Sequence, residues 1–255
     1  MIFKTIFTTT TLLLTSPILF TSAQEVDVVC NKTITTVENF DIVSYTSAPW
    51  YVHQQAQNVY TPIERNYCTK AEYTLKDNPT FPWGYTVGVY NTAEYESGVT
   101  VEGNLCAYQT EESDSKLAVA PCWLPKQFAG PYWIIAYNET EGYALISGGQ
   151  PTIVGENGLC RTGTGINNSG LWIFTRSQIR DEALITKVRS IAEEIGFDTS
   201  ILNDVDQSSC DVCVDNGGSF DAGWFGEKTC DWVGKSTWWR CFFYGGECPL
   251  TCGLC

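Results

Sequence analysis

The sequence is poor in positive charge and in histidine. It has 15 lysine and arginine residues against 29 aspartate and glutamate residues, a formal net charge of −14, and a single histidine, His53. A protein that binds nucleic acid needs a basic surface to meet the phosphate backbone, so this charge balance argues against that class of function. One histidine without partners at ligand spacing does not indicate a metal site, and we expect His53 to be a surface or hydrogen-bonded polar residue.

The common catalytic motifs are also missing. The sequence contains no Gly-x-Ser-x-Gly segment and no phosphate-binding loop. Its single histidine leaves one candidate base for a serine or cysteine triad, and its carboxylates are scattered along the chain. Every cysteine has a plausible disulfide partner, so no thiol nucleophile is left over. A binding protein is therefore expected rather than an enzyme, and we predict no catalytic residue, metal or cofactor.

A long apolar run occurs only near the start of the chain. Lys4 precedes an apolar stretch at 11–20, and the small residues at 21–23 suit signal peptidase. A transmembrane anchor needs about 20 apolar residues, and Pro17 argues against one here. We expect residues 1–23 to be a signal peptide and the protein to be secreted into the extracellular space. Three N-glycosylation sequons agree with this destination: Asn31, Asn138 and Asn167.

Twelve cysteines are present, and all of them follow this first segment. In an oxidising compartment an even number of cysteines indicates disulfides, here six. The first set is widely spread: Cys30, Cys68, Cys106, Cys122, Cys160 and Cys210. The second set is crowded near the end: Cys213, Cys230, Cys241, Cys248, Cys252 and Cys255. We predict a domain with its own core over 24–210 and a small disulfide-stapled domain over 213–255.

Residues 50 to 176 alternate apolar and polar side chains in short runs. Ala71, Tyr73 and Leu75, for example, share one side of a predicted strand. Period-two segments separated by turn-rich gaps predict antiparallel sheet. A polar turn centred on Asp114 sets Cys106 directly opposite Cys122. Because opposed residues lie about 4.5–5.5 Å apart at Cβ, we predict a Cys106–Cys122 cross-strand disulfide.

One helix is predicted after the strands, over Gln178 to Ile195. Its apolar stripe consists of Leu184, Val188, Ile191 and Ile195. Asp181 and Glu182 near its start and Gly196 just past its end suit the helix dipole and a C-cap. Antiparallel strands followed by one packed helix predict a closed barrel with a helix on its outer wall.

Seven segments of residues 30–210 occur in the order found in a known family. They are "NFDIVSYTSAPWY" at 39, "YCTKAEYTL" at 67, "KLAVAPCW" at 116, "GPYWIIAY" at 130, "GYALI" at 142, "LWIFTRSQ" at 171 and "GFDTSILNDVDQSSC" at 196. In these segments the chain resembles the lipocalins, especially those similar to apolipoprotein D. The resemblance implies an all-β fold, an eight-stranded antiparallel up-and-down barrel with one C-terminal helix.

The resemblance also implies specific contacts. Trp50 would plug the closed end of the barrel, and Arg176 would pack on its face, a cation–π contact worth about 0.5–2 kcal/mol. Cys30 would pair with Cys160, and Cys68 with Cys210. Alternation and family position give candidate ligand-binding residues, each of which could equally be a core residue: Tyr73, Trp172, Phe174, Tyr132 and Tyr143.

A small barrel of this kind can hold one modest apolar ligand. The resemblance therefore implies a secreted lipocalin that binds and carries a fatty acid, sterol, carotenoid or tetrapyrrole. The alternative is a lipocalin-fold enzyme that acts on such a ligand, as the carotenoid de-epoxidases do. Two carboxylates facing the same barrel mouth would favour the enzyme, and a purely apolar interior would favour binding.

The end of the chain, Cys-x3-Cys-x2-Cys with Thr-Cys-Gly, looks like the ShK toxin-like (ShKT) module. That resemblance implies the pairs Cys213–Cys255, Cys230–Cys248 and Cys241–Cys252. The segment is rich in aromatic side chains: Trp224, Trp232, Trp238, Trp239, Phe242, Phe243 and Tyr244. Exposed aromatics mark contact surfaces, so we expect a contact with glycan, a membrane surface or a protein, unless these rings pack around the disulfides.

Overall fold

The computed structural model describes residues 30, 32–208, 210, 218–244, 247–248 and 251–252. The predicted signal peptide, Asn31, the expected domain boundary at 211–212, and Cys213 and Cys255 lie outside the described residues, as does the side chain of Trp238.

Eight antiparallel strands form the body of the protein. They are β1 (Trp50–Ala56), β2 (Tyr67–Thr80), β3 (Tyr85–Glu94), β4 (Thr100–Thr110), β5 (Ser113–Ala120), β6 (Gly130–Asn138), β7 (Tyr143–Ser147) and, after a short hairpin of β8 (Ile153–Val154) and β9 (Cys160–Arg161), β10 (Leu171–Thr175). Each strand pairs with the next, and β10 pairs with both β7 and β1, which closes the sheet. A further strand, β11 (Leu202–Asp204), is added beside β1. The closed order confirms the predicted eight-stranded up-and-down barrel.

Alternation along β10 separates two apolar cores. Trp172 and Phe174 face the barrel interior, which is filled around Trp50, whereas Leu171 and Ile173 face outward. The outward face is covered by helix α2 (Glu182–Ile195), so both faces of this strand are apolar. A short helix, α1 (Ile42–Tyr45), precedes β1 and contributes Tyr45 to the interior core.

Helix α2 starts four residues later than the sequence pattern predicts. The Asp181 side chain accepts hydrogen bonds from the backbone N–H groups of Ala183 (2.9 Å) and Leu184 (3.1 Å), and this N-cap fixes the first turn. Gly196 follows the last residue with φ 121°, as expected for a helix end. The packed face is centred on Ile185, Val188 and Ala192, and the predicted stripe residues Leu184, Ile191 and Ile195 flank it, half-buried.

Three disulfides join Cys30 to Cys160, Cys68 to Cys210 and Cys106 to Cys122, with Cα–Cα distances of 5.9, 5.4 and 4.8 Å. The third bridge is not between directly opposed residues, because Cys106 faces Ala120 and Cys122 lies beyond the end of β5. The strands turn at 111–112, and Asp114 already belongs to β5. The predicted turn centre was therefore wrong, although the two cysteines still meet.

The C-terminal segment has its own small core. It contains β12 (Phe220–Asp221), β13 (Glu227–Lys228), α3 (Cys230–Gly234) and α4 (Thr237–Tyr244). Disulfides join Cys230 to Cys248 and Cys241 to Cys252, both with Cα–Cα distances of 5.4 Å. Throughout the part of the chain that the structure describes, no helix combines the length and apolar character that a bilayer span requires.

Candidate ligand-binding cavity

A cavity of about 480 Å³ occupies the barrel interior. Its wall is mainly apolar and comes from side chains on β1 to β6 and β10, among them Val52, Ala71, Val89, Leu105, Val119 and Phe174. Tyr60, Phe128 and Ile166, from three separate loops, border it and are exposed over 57, 58 and 71% of their surface. The cavity therefore opens among these loops, and its size suits one small ligand.

Four of the five predicted ligand-binding residues line this cavity: Tyr73, Trp172, Phe174 and Tyr132. Trp172 pairs with Ile146, and Phe174 with Ala144, so both residues lie on inward-facing rows of the sheet. Tyr73 lies on β2, two residues after the inward-facing Ala71.

The fifth residue, Tyr143, lies on the opposite face of the wall. It pairs with Thr175 on an outward row and packs in the core beneath α2, with the Lys187 Nζ atom 5.8 Å from the centre of its ring. The prediction that Tyr143 faces the ligand was therefore wrong. The residues after it, Ala144 to Ile146, are apolar on both faces because α2 covers the outside, so alternation does not distinguish the two sides.

Trp50 lies in the interior core, with its ring centre 6.5 Å from that of Phe174, which lines the cavity. The Trp50 side chain is fully buried, and the Arg176 guanidinium carbon lies 3.6 Å from the centre of its ring. Arg176 also donates hydrogen bonds to backbone carbonyls in 44–49 and pairs with Glu139 at 2.9 Å. The Trp50 indole N–H donates to the Tyr45 carbonyl at 2.9 Å. These contacts join the predicted pair between the start of β1 and the residue after β10.

A cluster of three tyrosine hydroxyls lies beside this plug. The Tyr132 hydroxyl is 2.7 Å from both the Tyr45 hydroxyl and the Tyr73 hydroxyl. Burial raises the pKa of Tyr73 to about 12 and raises the pKa values of Tyr45 and Tyr132 well above their ordinary value, so all three phenols are neutral at physiological pH. Tyr45 could not be predicted as a member of this cluster, because strand alternation gives no signal for a residue in the short helix before β1.

Charged groups are few along the cavity. The described residues that line it include one carboxylate, Glu102, and two cations, Arg65 and Lys70. Lys70 is paired with Glu72 at 2.8 Å, and the Arg65 Nε atom donates to the Tyr95 hydroxyl at 3.0 Å. The same described residues hold no group of three potential metal-ligating side chains.

The two described sequons differ in their surroundings. The Asn138 side chain is half-buried and exchanges two hydrogen bonds of 3.0 Å with Glu141 in the turn between β6 and β7. Asn167 is exposed and lies in the loop that borders the cavity mouth. Asn167 is thus the more accessible of the two side chains.

Comparisons with known proteins gave only structural similarities. No family model matches the sequence, and no curated protein matches it. Solved structures similar to this chain include lobster apocrustacyanin A1, with 19% identity, 70% of this chain and 93% of that chain covered, and a TM-score of 0.47. H1 crustacyanin from the lobster Homarus americanus has 20% identity, coverage of 64 and 77%, and a TM-score of 0.45. Insecticyanin from the tobacco hornworm Manduca sexta has 14% identity, coverage of 69 and 85%, and a TM-score of 0.48.

Proposed function

We propose that this protein binds one small hydrophobic ligand inside its barrel and carries it without changing it chemically. The observation that carries the proposal is the mainly apolar cavity of about 480 Å³ inside the barrel, which opens among loops at one end. Removing apolar ligand surface from water would supply most of the affinity. Fatty acids, sterols, carotenoids and tetrapyrroles are the candidate ligand classes.

Ligand binding can be tested by isothermal titration calorimetry, which measures affinity equally well in a variant that lacks Trp172. In wild type the fluorescence of Trp172, which lines the cavity, should also respond to an entering ligand. Replacing Trp172 by alanine removes about 1–3 kcal/mol of apolar contact and should weaken binding roughly five- to hundred-fold. Trp123→Ala is the matched control, since Trp123 is 76% exposed and does not line the cavity. Equal affinities of the Trp172 variant and wild type for fatty acid, sterol, carotenoid and tetrapyrrole would contradict the proposed site.

Native mass spectrometry of the protein from its source, followed by extraction, would identify whatever co-purifies. The same experiment separates a carrier from a lipocalin-fold enzyme, because an enzyme returns an altered ligand. The presence of one carboxylate, Glu102, among the described lining residues supports the carrier, since acid–base chemistry by a carboxylate pair needs two.

The setting of this function is part of the same proposal. We propose a secreted apolipoprotein D-like chain whose residues 1–23 are a signal peptide, whose barrel domain spans 24–210, and which is glycosylated at Asn31, Asn138 and Asn167. The disulfides that join the described cysteines support an oxidising, extracytoplasmic environment. N-terminal sequencing and glycosidase treatment of the mature protein test these features.

We further propose that residues 213–255 form an ShKT-like module with a contact surface. Trp224, Phe242 and Phe243 are exposed over 99, 83 and 68% of their surface, which supports contact with glycan, a membrane surface or a protein. Trp232 instead packs against Phe225, Trp239 and Tyr244, so part of the aromatic set belongs to the core of the module.

Binding of the full chain to phosphatidylcholine vesicles, a glycan array and immobilised barrel domain would show which contact the exposed aromatic residues make. Trp224→Ala should weaken that contact. The matched control is Trp123→Ala, which removes an exposed tryptophan from outside the C-terminal segment. Equal binding by wild type and the Trp224 variant would remove Trp224 from the proposed surface.

A further inference from the structure

The three tyrosines at the inner end of the cavity come from separate elements. Tyr45 is the last residue of α1, Tyr73 lies on β2 and Tyr132 lies on β6. Their rings pack around the plug, since the Tyr45 ring centre is 5.3 Å from those of both Trp50 and Tyr73. The fold therefore brings three hydroxyl groups together beside the interior core, and two of them line the mainly apolar cavity.

Counting protons shows that this cluster holds one more donor than it uses. Three neutral phenols carry three hydroxyl protons, and the cluster contains two hydrogen bonds, both of which involve Tyr132. Two protons are used in these bonds, so one hydroxyl proton remains for another partner.

Burial decides where the remaining proton lies. Tyr45 is fully buried and does not line the cavity, whereas Tyr73 and Tyr132 do. A spare proton on Tyr45 would leave a buried donor unsatisfied, which is costly. Tyr45 therefore donates to Tyr132. Onward donation from Tyr132 to Tyr73 makes a continuous chain in which each hydrogen bond polarises the next, and this order leaves the Tyr73 proton facing the cavity.

The charges around the cluster favour a neutral acceptor. Arg176, the cation whose charge acts on Tyr45 and Tyr73, is already paired with Glu139 and stacked on Trp50. A carboxylate brought to this end would lose its hydration without gaining a free counter-charge. A carbonyl oxygen of a ketone or aldehyde loses much less hydration and can accept the Tyr73 proton.

We propose that the inner end of the cavity is a donor site for a neutral carbonyl group on an otherwise apolar ligand, with Tyr73 donating and Tyr132 beside it. This inference rests on the proposed ligand-binding function and specifies the class of ligand. Such a ligand enters with its carbonyl group first and leaves its apolar remainder against the barrel wall and the loops of the mouth.

The test compares a long-chain methyl ketone with the alkane of the same length, both titrated by tryptophan fluorescence. The measured quantity is the ratio of the alkane Kd to the ketone Kd within each variant. Any change of the cavity that alters the affinity for both ligands equally leaves this ratio unchanged. This ratio should fall about two- to twelve-fold in the double variant Tyr73→Phe, Tyr132→Phe, the effect of one neutral hydrogen bond. It should stay at the wild-type value in Tyr45→Phe, because Tyr73 and Tyr132 still share one bond and keep one spare proton.

Several outcomes would overturn the proposal. An unchanged ratio in the double variant shows that neither cavity hydroxyl binds the carbonyl, and an equal fall in Tyr45→Phe shows a structural effect. If a fatty acid of the same length loses as much affinity in the double variant, the cluster binds carboxylates instead. If wild type binds neither ketone nor alkane, the proposed function itself fails, a result distinct from equal binding of both.

A measurement on the wild-type protein keeps the test independent of the variants' folding. The carbonyl stretch of a ¹³C-labelled ketone should move to lower frequency on binding, relative to the same ketone dissolved in alkane, because a hydrogen bond weakens the C=O bond. An alkane-like frequency in the bound state would contradict donation by Tyr73.

Discussion

At the scale of single residues, Arg176 holds the segment around Trp50 through several contacts at once. Its planar guanidinium stacks on Trp50, donates to the carbonyls of Ser44, Tyr45, Ala48 and Pro49, and pairs with Glu139. The ion pair is partly exposed and contributes little to stability. The stacking on Trp50 and the hydrogen bonds to the carbonyls therefore account for most of the stabilisation that Arg176 provides.

We expect Arg176→Ala to lower the free energy of unfolding by about 1–3 kcal/mol, because it removes the donor from the Ala48 and Pro49 carbonyls and the cation from the face of a buried indole. Urea unfolding of the two proteins measures the difference. Arg176→Lys keeps the charge but not the planar fork, so it should recover only part of the loss. An unchanged urea midpoint in the alanine variant would mean that other groups hold Trp50.

His53, the single histidine of the chain, predicts that the stability of the protein depends on pH near neutrality. Its Nε2 atom donates to the Ser177 carbonyl at 2.9 Å, and its buried Nδ1 atom has no partner within the described part of the chain. Burial lowers the pKa of His53 below 6.5; Arg180 also lowers it, while Glu182 and Asp204 oppose the shift. The unfolded chain therefore binds a proton more readily than the folded protein.

Stability should fall as the pH drops through about 6.5 and on towards the folded-state pKa of His53. His53→Gln does not titrate, so its urea midpoint should fall less between about pH 7 and pH 5.5. Carboxylates contribute equally to the pH dependence of stability in both proteins, so the difference between the two pH profiles reports on His53. Parallel pH profiles for wild type and the His53→Gln variant would show that protonating His53 does not affect stability.

At the scale of elements, the start of α2 is set by its N-cap residue, Asp181. The apolar stripe alone predicted a start four residues too early. Asp181 satisfies two N–H groups of the first turn, at Ala183 and Leu184. We expect Asp181→Ala to destabilise the protein by about 0.5–2 kcal/mol. Asp181→Asn retains the acceptor and should lose much less in thermal unfolding. If both variants lose the same stability, the charge of Asp181 acts through the helix dipole rather than through the cap.

Most strands could be predicted from period-two alternation, because one face of each strand meets the core and the other meets water. The pattern failed where this difference disappears. Tyr143 precedes residues that are apolar on both faces beneath α2, and Tyr45 joins the tyrosine cluster from a helix of four residues. The turn was predicted at Asp114 but lies at 111–112. Polar residues continue from the turn into β5, so composition alone did not mark the centre of the turn.

At the scale of the whole molecule, the described disulfides stay within the two predicted parts of the chain. Three join cysteines between Cys30 and Cys210, and two join cysteines between Cys230 and Cys252. Long sequence separations of 130 and 142 residues in the barrel contrast with 18 and 11 in the C-terminal segment. This arrangement supports two separately stapled units, the barrel and a C-terminal module.

The remaining cysteines provide a test of this division. Ten of the twelve cysteines are paired among themselves in the described residues, so we predict that Cys213 and Cys255 form the sixth bridge, as the ShKT resemblance implies. Peptide mapping of the unreduced mature protein should recover a fragment that contains both, and non-reducing electrophoresis should show a monomer. A dimer that collapses on reduction would instead mean that these two cysteines link separate chains. A bridge from either cysteine to the barrel would join the two units covalently and contradict their separation.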